Sequence, residues 1–252
     1  MSNTGRFVWH ELHTTDRPRA MKFYATLLGW ETKDVPMGPG DPYGLCLLGG
    51  TDIAGITKSM APAHVPPHWL PYIAVDDVDA SVAKLKELGG KVLNAAMDIP
   101  NVGRFAAVAD PQGAAFALFK HVKPYPEEPK TPPPSAFCWE ELSTPDPEAA
   151  AKFYGALFGY SVEAVDMGPM GTYRILKSRE RQRAGVTKPM PGAPAQAHWL
   201  EYIAVKDVDA STRNAKELGA KALMEPQDIP NIGRFSIVAD PTGAAIALFK
   251  GS

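Results

Sequence analysis

The sequence lacks the features of proteins that bind nucleic acids, span membranes or are secreted. Its 26 Lys and Arg residues are balanced by 28 Asp and Glu, a formal net charge of −2, so no basic excess is present to hold a phosphate backbone. No segment approaches the roughly 18 consecutive apolar residues of a membrane-spanning helix, and the first residues carry no apolar core of signal-peptide length. We therefore expect a cytoplasmic protein that binds neither nucleic acid nor a membrane.

Cysteine is almost absent. Cys46 and Cys138 are the only two cysteines in the chain, and neither belongs to a CxxC pair. The sequence therefore predicts neither a disulfide framework nor a metal site built from thiolates.

The chain contains instead a long internal repeat. Adding 130 to a residue number carries the first half onto the second without a gap, as with Trp9 and Trp139. Similarity at one fixed period over this length indicates a duplication. The segment between the copies is rich in proline, which favours an extended spacer. We predict a first domain over residues 1–121, a linker over 122–136 and a second domain over 137–252.

Each copy contains the same local pattern twice. A strand is followed by an Asp that can cap a helix, Asp16 or Asp77, and the helix ends at a Leu-Gly pair. Short segments of alternating character follow and indicate strands. Each unit is thus predicted to run β-α-β-β-β. The predicted fold class is α+β, with four such units forming two cup-shaped mixed sheets and the helices packed outside.

Three segments of each copy carry a resemblance to a known family. In the first copy they read HELHTTDRPRAMKFYATLLGW, YIAVDDVDASVAKLKELGG and VADPQGAAFALFK, and the second copy repeats all three. They resemble domains of the vicinal-oxygen-chelate (glyoxalase, bleomycin-resistance and dioxygenase) superfamily, and the two-domain chain is similar to its Cfp30B-like subgroup. The resemblance implies the fold strongly. It leaves the reaction open, because the superfamily includes lyases, epimerases, ring-cleaving dioxygenases and non-catalytic drug-binding proteins.

The resemblance also implies where a metal ion would be held. Metal-dependent members bind a divalent ion with His, Glu or Gln from the opening strand of each unit and from the closing strand. In this chain the matching positions are Trp9 and Trp139, Leu70 and Leu200, Gly55 and Gly185, and Ala117 and Ala247, none of which can ligate. We therefore expect no metal and no other cofactor. A site that recruits His10, Glu11, His13 or His68 is the alternative.

Alternation along the predicted strands indicates which side chains line each cup. Val8 and Leu12 should face the helix, so Trp9 and Glu11 should face the cup. A carboxylate beside aromatic rings is partly desolvated and becomes a stronger base, so Glu11 and its repeat Glu141 are the predicted catalytic residues. The predicted ligand-binding residues are Trp9, His68, Tyr72 and Arg104 in the first copy and Trp139, His198, Tyr202 and Arg234 in the second.

Structural roles would also suit these residues. Glu11 could pair with an arginine such as Arg104, and Arg104 could form an ion pair with Asp98 rather than bind an anionic ligand. Trp9 could pack in the core, and His68 could be a satisfied histidine at the start of its strand.

These observations favour a protein that binds a small aromatic or heterocyclic molecule without a metal. It would either sequester the molecule or act on it as a lyase or isomerase through Glu11 and Glu141. A metal-dependent lyase or ring-cleavage dioxygenase is one alternative, and an interaction protein with no small-molecule site is another. Because single-domain relatives generally dimerise, the chain is expected to be a monomer with an internal pseudo-dimer. A homodimer is the alternative oligomeric state.

Overall fold

The computed structural model describes residues 2–38, 40–62, 64–168, 171–190 and 195–252. The first copy forms β1 (Phe7–Thr14), α1 (Arg17–Leu28), β2 (Glu31–Val35), β3 (Tyr43–Leu48), β4 (Thr51–Lys58), β5 (His68–Ala74), α2 (Val78–Glu87), β6 (Lys91–Ile99), β7 (Gly103–Ala109) and β8 (Ala115–His121). The second copy forms β9 (Phe137–Ser143), α3 (Pro147–Phe158), β10 (Ser161–Asp166), β11 (Thr172–Ser178), β12 (Arg181–Thr187), β13 (His198–Ala204), α4 (Val208–Glu217), β14 (Lys221–Ile229), β15 (Gly233–Ala239) and β16 (Ala245–Gly251). None of the helices in these residues is long and apolar enough to cross a membrane.

Each copy forms one mixed sheet of eight strands. The strand order is β2-β3-β4-β1-β5-β8-β7-β6 in the first copy and β10-β11-β12-β9-β13-β16-β15-β14 in the second. The first strand of each β-α-β-β-β unit pairs in parallel with the last strand of that unit, as β1 does with β4 and β5 does with β8. The remaining pairs within a unit are antiparallel. The α+β class and the repeated β-α-β-β-β unit are confirmed.

The helices begin and end at the residues that the sequence marked. The Asp16 carboxylate accepts a hydrogen bond from the Arg19 amide at 3.1 Å, which satisfies a donor that the first helical turn leaves unpaired. Asp77 does the same for the Ala80 amide at 2.9 Å. Helix α1 stops at Gly29, whose φ of 72° is a left-handed conformation that glycine adopts at little cost.

The chain divides into two compact units that do not follow the sequence repeat. Unit 1 comprises Met1–Val8, Pro71–Glu128 and Trp139–Trp199. It contains the second half of the first copy and the first half of the second. Inside it α2 packs against α3, and its core includes Phe116, Leu118 and Leu142.

Unit 2 comprises Trp9–Leu70, Pro129–Cys138 and Leu200–Ser252. Inside it α1 packs against α4, and its core includes Leu12 and Ile246. Each compact unit thus takes its chain from both copies. The predicted domains, residues 1–121 and 137–252 with a linker over 122–136, follow the sequence repeat. Their boundaries remain a proposal.

Within each compact unit, a buried tyrosine from one copy forms a hydrogen bond with an aspartate from the other copy. In unit 2, Tyr24 of α1 donates a hydrogen bond to Asp240 Oδ2 at 3.1 Å and accepts one from Trp69 Nε1 at 3.0 Å. In unit 1, Tyr154 of α3 donates to Asp110 Oδ2 at 3.2 Å. Burial, reinforced by the neighbouring carboxylate, raises the pKa of both phenols, so each hydroxyl remains a donor.

Candidate functional site

Strand β1 presents two different faces. His10, Leu12 and Thr14 are buried, whereas Trp9, Glu11 and His13 between them are only half-buried. This alternation follows from the two-residue period of a strand. It leaves the carboxylate of Glu11 within reach of a small molecule, as its side chain is 13% exposed.

Four side chains of unit 2 gather around Glu11. We call Trp9, Glu11, His13, Tyr43 and His68 the first polar cluster. Trp9 Nε1 donates a hydrogen bond to the Tyr43 hydroxyl at 3.0 Å, and that hydroxyl donates to Glu11 Oε2 at 2.7 Å. The indole therefore fixes the tyrosine, and the tyrosine holds one oxygen of the carboxylate.

Two histidines lie on the other side of the same carboxylate. His13 Nε2 is 3.0 Å from Glu11 Oε1, and the imidazole of His13 stacks on that of His68 with the ring centres 5.3 Å apart. His68 Nδ1 donates to the carbonyl of Pro66 at 2.9 Å, which leaves its Nε2 as the acceptor of the neutral ring. Burial lowers the pKa of His68; the Pro66 bond opposes this shift and the neighbouring His13 adds to it.

The second copy has a matching arrangement, which lies in unit 1 and has a serine in place of His13. We call Trp139, Glu141, Ser143 and Tyr173 the second polar cluster. Trp139 Nε1 donates to the Tyr173 hydroxyl at 3.0 Å, which donates to Glu141 Oε2 at 2.8 Å. Burial, with the Glu141 charge, raises the pKa of Tyr173 well above its usual range, so the phenol stays a donor. Ser143 stands where the first copy has His13.

His198 repeats one contact of His68. Its Nδ1 donates to the carbonyl of Gln196 at 2.9 Å, just as His68 donates to Pro66. The two predicted ligand-binding histidines therefore have the same local anchor, and only His68 has an imidazole stacked against it in the contacts described above.

The sequence reasoning missed both tyrosines. Tyr43 is the first residue of β3 and Tyr173 is the second residue of β11, each far along the chain from the carboxylate that it contacts. A signal was present, because the two tyrosines match under the shift of 130 residues within segments that otherwise differ. A residue that is identical in both copies, within a segment that otherwise differs between them, is the signal that could have identified these tyrosines.

Each tyrosine also occupies the space beside a glycine. Gly55 lies directly beside Glu11 in the β1–β4 pairing, and Gly185 lies beside Glu141 in the β9–β12 pairing. A β-carbon built on Gly55 would overlap the Tyr43 hydroxyl, and one built on Gly185 would overlap the Tyr173 hydroxyl. The space beside the glycine is thus filled by a phenol in both copies.

The donors around Glu11 do not fit a metal ion of the family type. Trp9 uses its only polar hydrogen on Tyr43, and its indole has no acceptor that could bind an ion. Among the described residues, no three His, Cys, Asp or Glu side chains converge so that they could hold an ion. The Glu11 and His13 side chains approach each other instead of a common third point.

The predicted ligand-binding tyrosines pack in aromatic clusters. Tyr72 in unit 1 stacks on Phe105 with ring centres 6.0 Å apart and meets Phe119 edge-on at 5.8 Å. Tyr202 in unit 2 makes the matching contacts with Phe235 and Phe249. Tyr72 is 4% exposed and Tyr202 is 5% exposed, so most of each ring already packs against protein. Their predicted role in ligand binding stays a prediction.

The predicted ligand-binding arginines are held in ion pairs. Arg104 grips Asp79 through Nε and Nη2 at 2.8 and 2.9 Å and reaches Asp98 at 3.1 Å. Arg234 donates to Asp209 through Nε and Nη2 and to Asp228 through Nη1. The hydrogen bonds from the guanidinium groups lower the pKa of Asp79 and of Asp209. The contact with Asp98 was foreseen as an alternative, whereas the second partner, Asp79, was not.

The family model of the Glyoxalase/Bleomycin resistance protein/Dioxygenase superfamily matches the chain twice, over residues 6–118 and 138–248. A curated relative from Mycobacterium tuberculosis, "Putative glyoxylase CFP32", is 39% identical over 96% of this chain and 93% of its own length. The anthracycline biosynthesis protein DnrV of Streptomyces peucetius is 32% identical over 98% of this chain and 93% of its own.

Solved structures share the fold at low identity. The Mn(II)-bound glyoxalase of Novosphingobium aromaticivorans superposes with a TM-score of 0.66 at 17% identity, over 99% of this chain and 83% of that one. The two matches of the family model and the full-length relatives agree with the duplicated β-α-β-β-β units. The chain belongs to the glyoxalase, bleomycin-resistance and dioxygenase superfamily.

Proposed function

We propose that this protein binds a small aromatic or heterocyclic molecule beside Glu11 and Glu141 without a metal ion, and acts on it through these carboxylates. The observation that carries the proposal is the Trp–Tyr–Glu hydrogen-bond chain, which is present in both copies and begins at Trp9 and Trp139, where the family resemblance implies a metal ligand. Both copies keep this chain although the segments that carry Tyr43 and Tyr173 have otherwise diverged, which supports a role for it.

The chemistry of the chain supports a base. The Glu11 carboxylate lies in the same cluster as Trp9, its side chain is 13% exposed, and one of its oxygens accepts a hydrogen bond from the Tyr43 hydroxyl, so it is positioned to take a proton from a ligand. Positioned carboxylates of this kind typically accelerate proton transfer by about 10²–10⁴-fold. The half-buried indole of Trp9 offers a flat face on which an aromatic ligand can stack.

The relatives guide the choice of ligand. DnrV is named for the biosynthesis of anthracyclines, which supports flat polycyclic aromatic compounds as first probes. We expect 2-naphthol, quinoline and anthraquinone-2-sulfonate to bind to protein that has been dialysed against EDTA. Titration calorimetry measures their affinity, and quenching of tryptophan fluorescence reports contact with Trp9 or Trp139.

Substitution of the carboxylates separates catalysis from sequestration. Glu11→Gln and Glu141→Gln keep the size of each side chain and remove its basicity, so protein that carries both substitutions should lose turnover and keep most of its affinity. If this double variant binds the probes as before and the native protein turns over no carbon acid, the protein sequesters its ligand.

A metal-dependent lyase or dioxygenase remains the second candidate. It is favoured by the likeness to the Mn(II)-bound glyoxalase and by the proximity of Glu11 to His13 and His68. Elemental analysis of protein purified without chelator tests it. A stoichiometric divalent ion that survives dialysis, and that probe binding requires, would overturn the metal-free proposal.

The cellular setting is proposed on the sequence alone. We propose a cytoplasmic protein that binds neither nucleic acid nor a membrane, and a monomer with an internal pseudo-dimer. Light scattering at several protein concentrations tests the last point, and a constant mass of twice the chain mass of 27.1 kDa would contradict it.

A further inference from the structure

The two polar clusters share one hydrogen-bond chain and differ at the position two residues after the glutamate. Both have the tryptophan, the tyrosine and the glutamate, with matching distances within 0.1 Å. In the first cluster His13 approaches the second oxygen of Glu11 at 3.0 Å. The second cluster has Ser143 at that position, which offers no imidazole.

We propose that only the first polar cluster turns over a carbon acid, because His13 carries the proton of Glu11 to and from water, and that the second cluster binds ligand without turnover. This inference rests on the proposed function, since it assigns the base chemistry to one of the two sites. His13 acts through Glu11 and is therefore a positioning and relay residue, whereas Glu11 touches the ligand.

The relay balances as a proton transfer. The C–H bond of the ligand breaks, its electron pair remains on the ligand as an enolate, and the proton goes to the Glu11 carboxylate. His13 Nε2 accepts that proton, and the resulting imidazolium releases one to water. Return of a proton from water by the same path reprotonates the enolate, so that no oxidant, reductant or metal is needed.

The positions of the two side chains suit this path. Imidazole takes up and releases protons readily near neutral pH, whereas a serine hydroxyl does not. The His13 side chain is 24% exposed and Glu11 is 13% exposed, so the relay runs from the more buried base to the more accessible ring. His68 stacks on His13 and limits the orientations of its ring.

Hydrogen–deuterium exchange of 2-indanone tests the proposal. This flat aromatic ketone has acidic α-protons, and their replacement in D₂O is followed by proton NMR on the full chain. His13→Ser makes the first cluster match the second and should lower the catalysed rate at least 10-fold. Glu11→Gln should lower it at least 10-fold more than Glu141→Gln does. Ser143→His should raise the rate of the Glu11→Gln protein.

Chemical rescue distinguishes a relay from a structural role. Free imidazole should restore most of the exchange lost in His13→Ser, because a diffusible base can replace the missing relay. A histidine that only supports the fold would not be replaced in this way. Circular dichroism and urea unfolding of each variant establish that it is folded before its rate is compared.

The outcomes separate this inference from the proposed function. Equal losses in Glu11→Gln and Glu141→Gln, or full exchange in His13→Ser, would overturn the inference and leave the base role in place. Absence of any catalysed exchange by native protein, with the ketone bound according to saturation-transfer NMR, would overturn the base role itself. Absence of binding would count against the aromatic site.

Discussion

The hydroxyl of Tyr43 lies where a β-carbon at position 55 would have to be, which makes Gly55 and Tyr43 a matched pair. The same relationship joins Gly185 and Tyr173 in the second copy. In each case the glycine gives room to a phenol that holds the neighbouring glutamate. The pair is the physical reason why the first polar cluster presents a carboxylate that is held in place by a hydrogen bond from a phenol.

Gly55→Ala should destabilise the protein by about 1–3 kcal/mol, because the new methyl group forces Tyr43 out of its place and breaks its bonds to Trp9 and Glu11. Urea denaturation measures the free energy of unfolding. In a Tyr43→Ala background the same glycine substitution should cost little, since the ring is gone. Equal costs in the two backgrounds would contradict this account, and Gly185→Ala with Tyr173→Ala is the matched cycle in the second copy.

Acidity should change the contribution of Asp110 to stability in a defined direction. Its carboxyl is 1% exposed, and burial raises its pKa above the ordinary value of 3.8, although hydrogen bonds from the Gln112 and Ala114 amides oppose the shift. The fold therefore favours the neutral form. Its contribution is fully present below the unfolded-state pKa and is lost as the pH rises through the folded-state pKa.

Asp110→Asn removes this dependence. The free energy of unfolding of the variant, relative to that of native protein, should rise as the pH increases above the ordinary pKa of 3.8 and level off above the folded-state pKa of Asp110, as urea denaturation at successive pH values would measure. Asp41→Asn, at an exposed carboxylate, controls for the general loss of a charge. A difference that falls with rising pH would show the opposite shift.

The stacked imidazoles predict a measurable change at His68. Burial is the main cause of its lowered pKa and the neighbouring His13 contributes, so His13→Ser should raise the pKa of His68 without bringing it to its ordinary value. Titration of the ring proton signals by NMR measures it, with exposed His64 as the reference signal in both proteins. A pKa that stays the same or falls would contradict the predicted effect of His13 on His68.

Glu128 in the linker should contribute to stability. Its carboxylate contacts Arg183 Nη1 at 2.6 Å and Arg6 Nε at 3.2 Å, with both guanidinium groups largely buried. Glu128→Gln leaves two buried cations without a counter-charge and should lower the free energy of unfolding by about 1–3 kcal/mol. The neighbouring exposed residue provides the control, because Glu127→Gln should change stability by less than about 0.5 kcal/mol. Equal effects of the two substitutions in urea denaturation would refute a specific role.

Much of the fold could be predicted from the sequence. The duplication, the capped helices at Asp16 and Asp77 and the inward alternation of Trp9 and Glu11 depend on periodicity and on local hydrogen bonds, which neighbouring residues determine. The candidate site was predicted only in part. Glu11 was identified by alternation on its own strand, whereas Tyr43, which holds it, lies 32 positions away along the chain and was missed.

The sequence by itself determined the repeat, the order of its elements, the absence of ligating side chains at Trp9 and Ala117, and the presence of a glutamate on each opening strand. Only the tertiary structure decided that Tyr43 covers Gly55, and that α1 of one copy packs against α4 of the other. Strand pairing and helix packing join residues that are distant in the chain. Which distant residues meet depends on the pairing of strands and on burial, and local sequence patterns do not specify either.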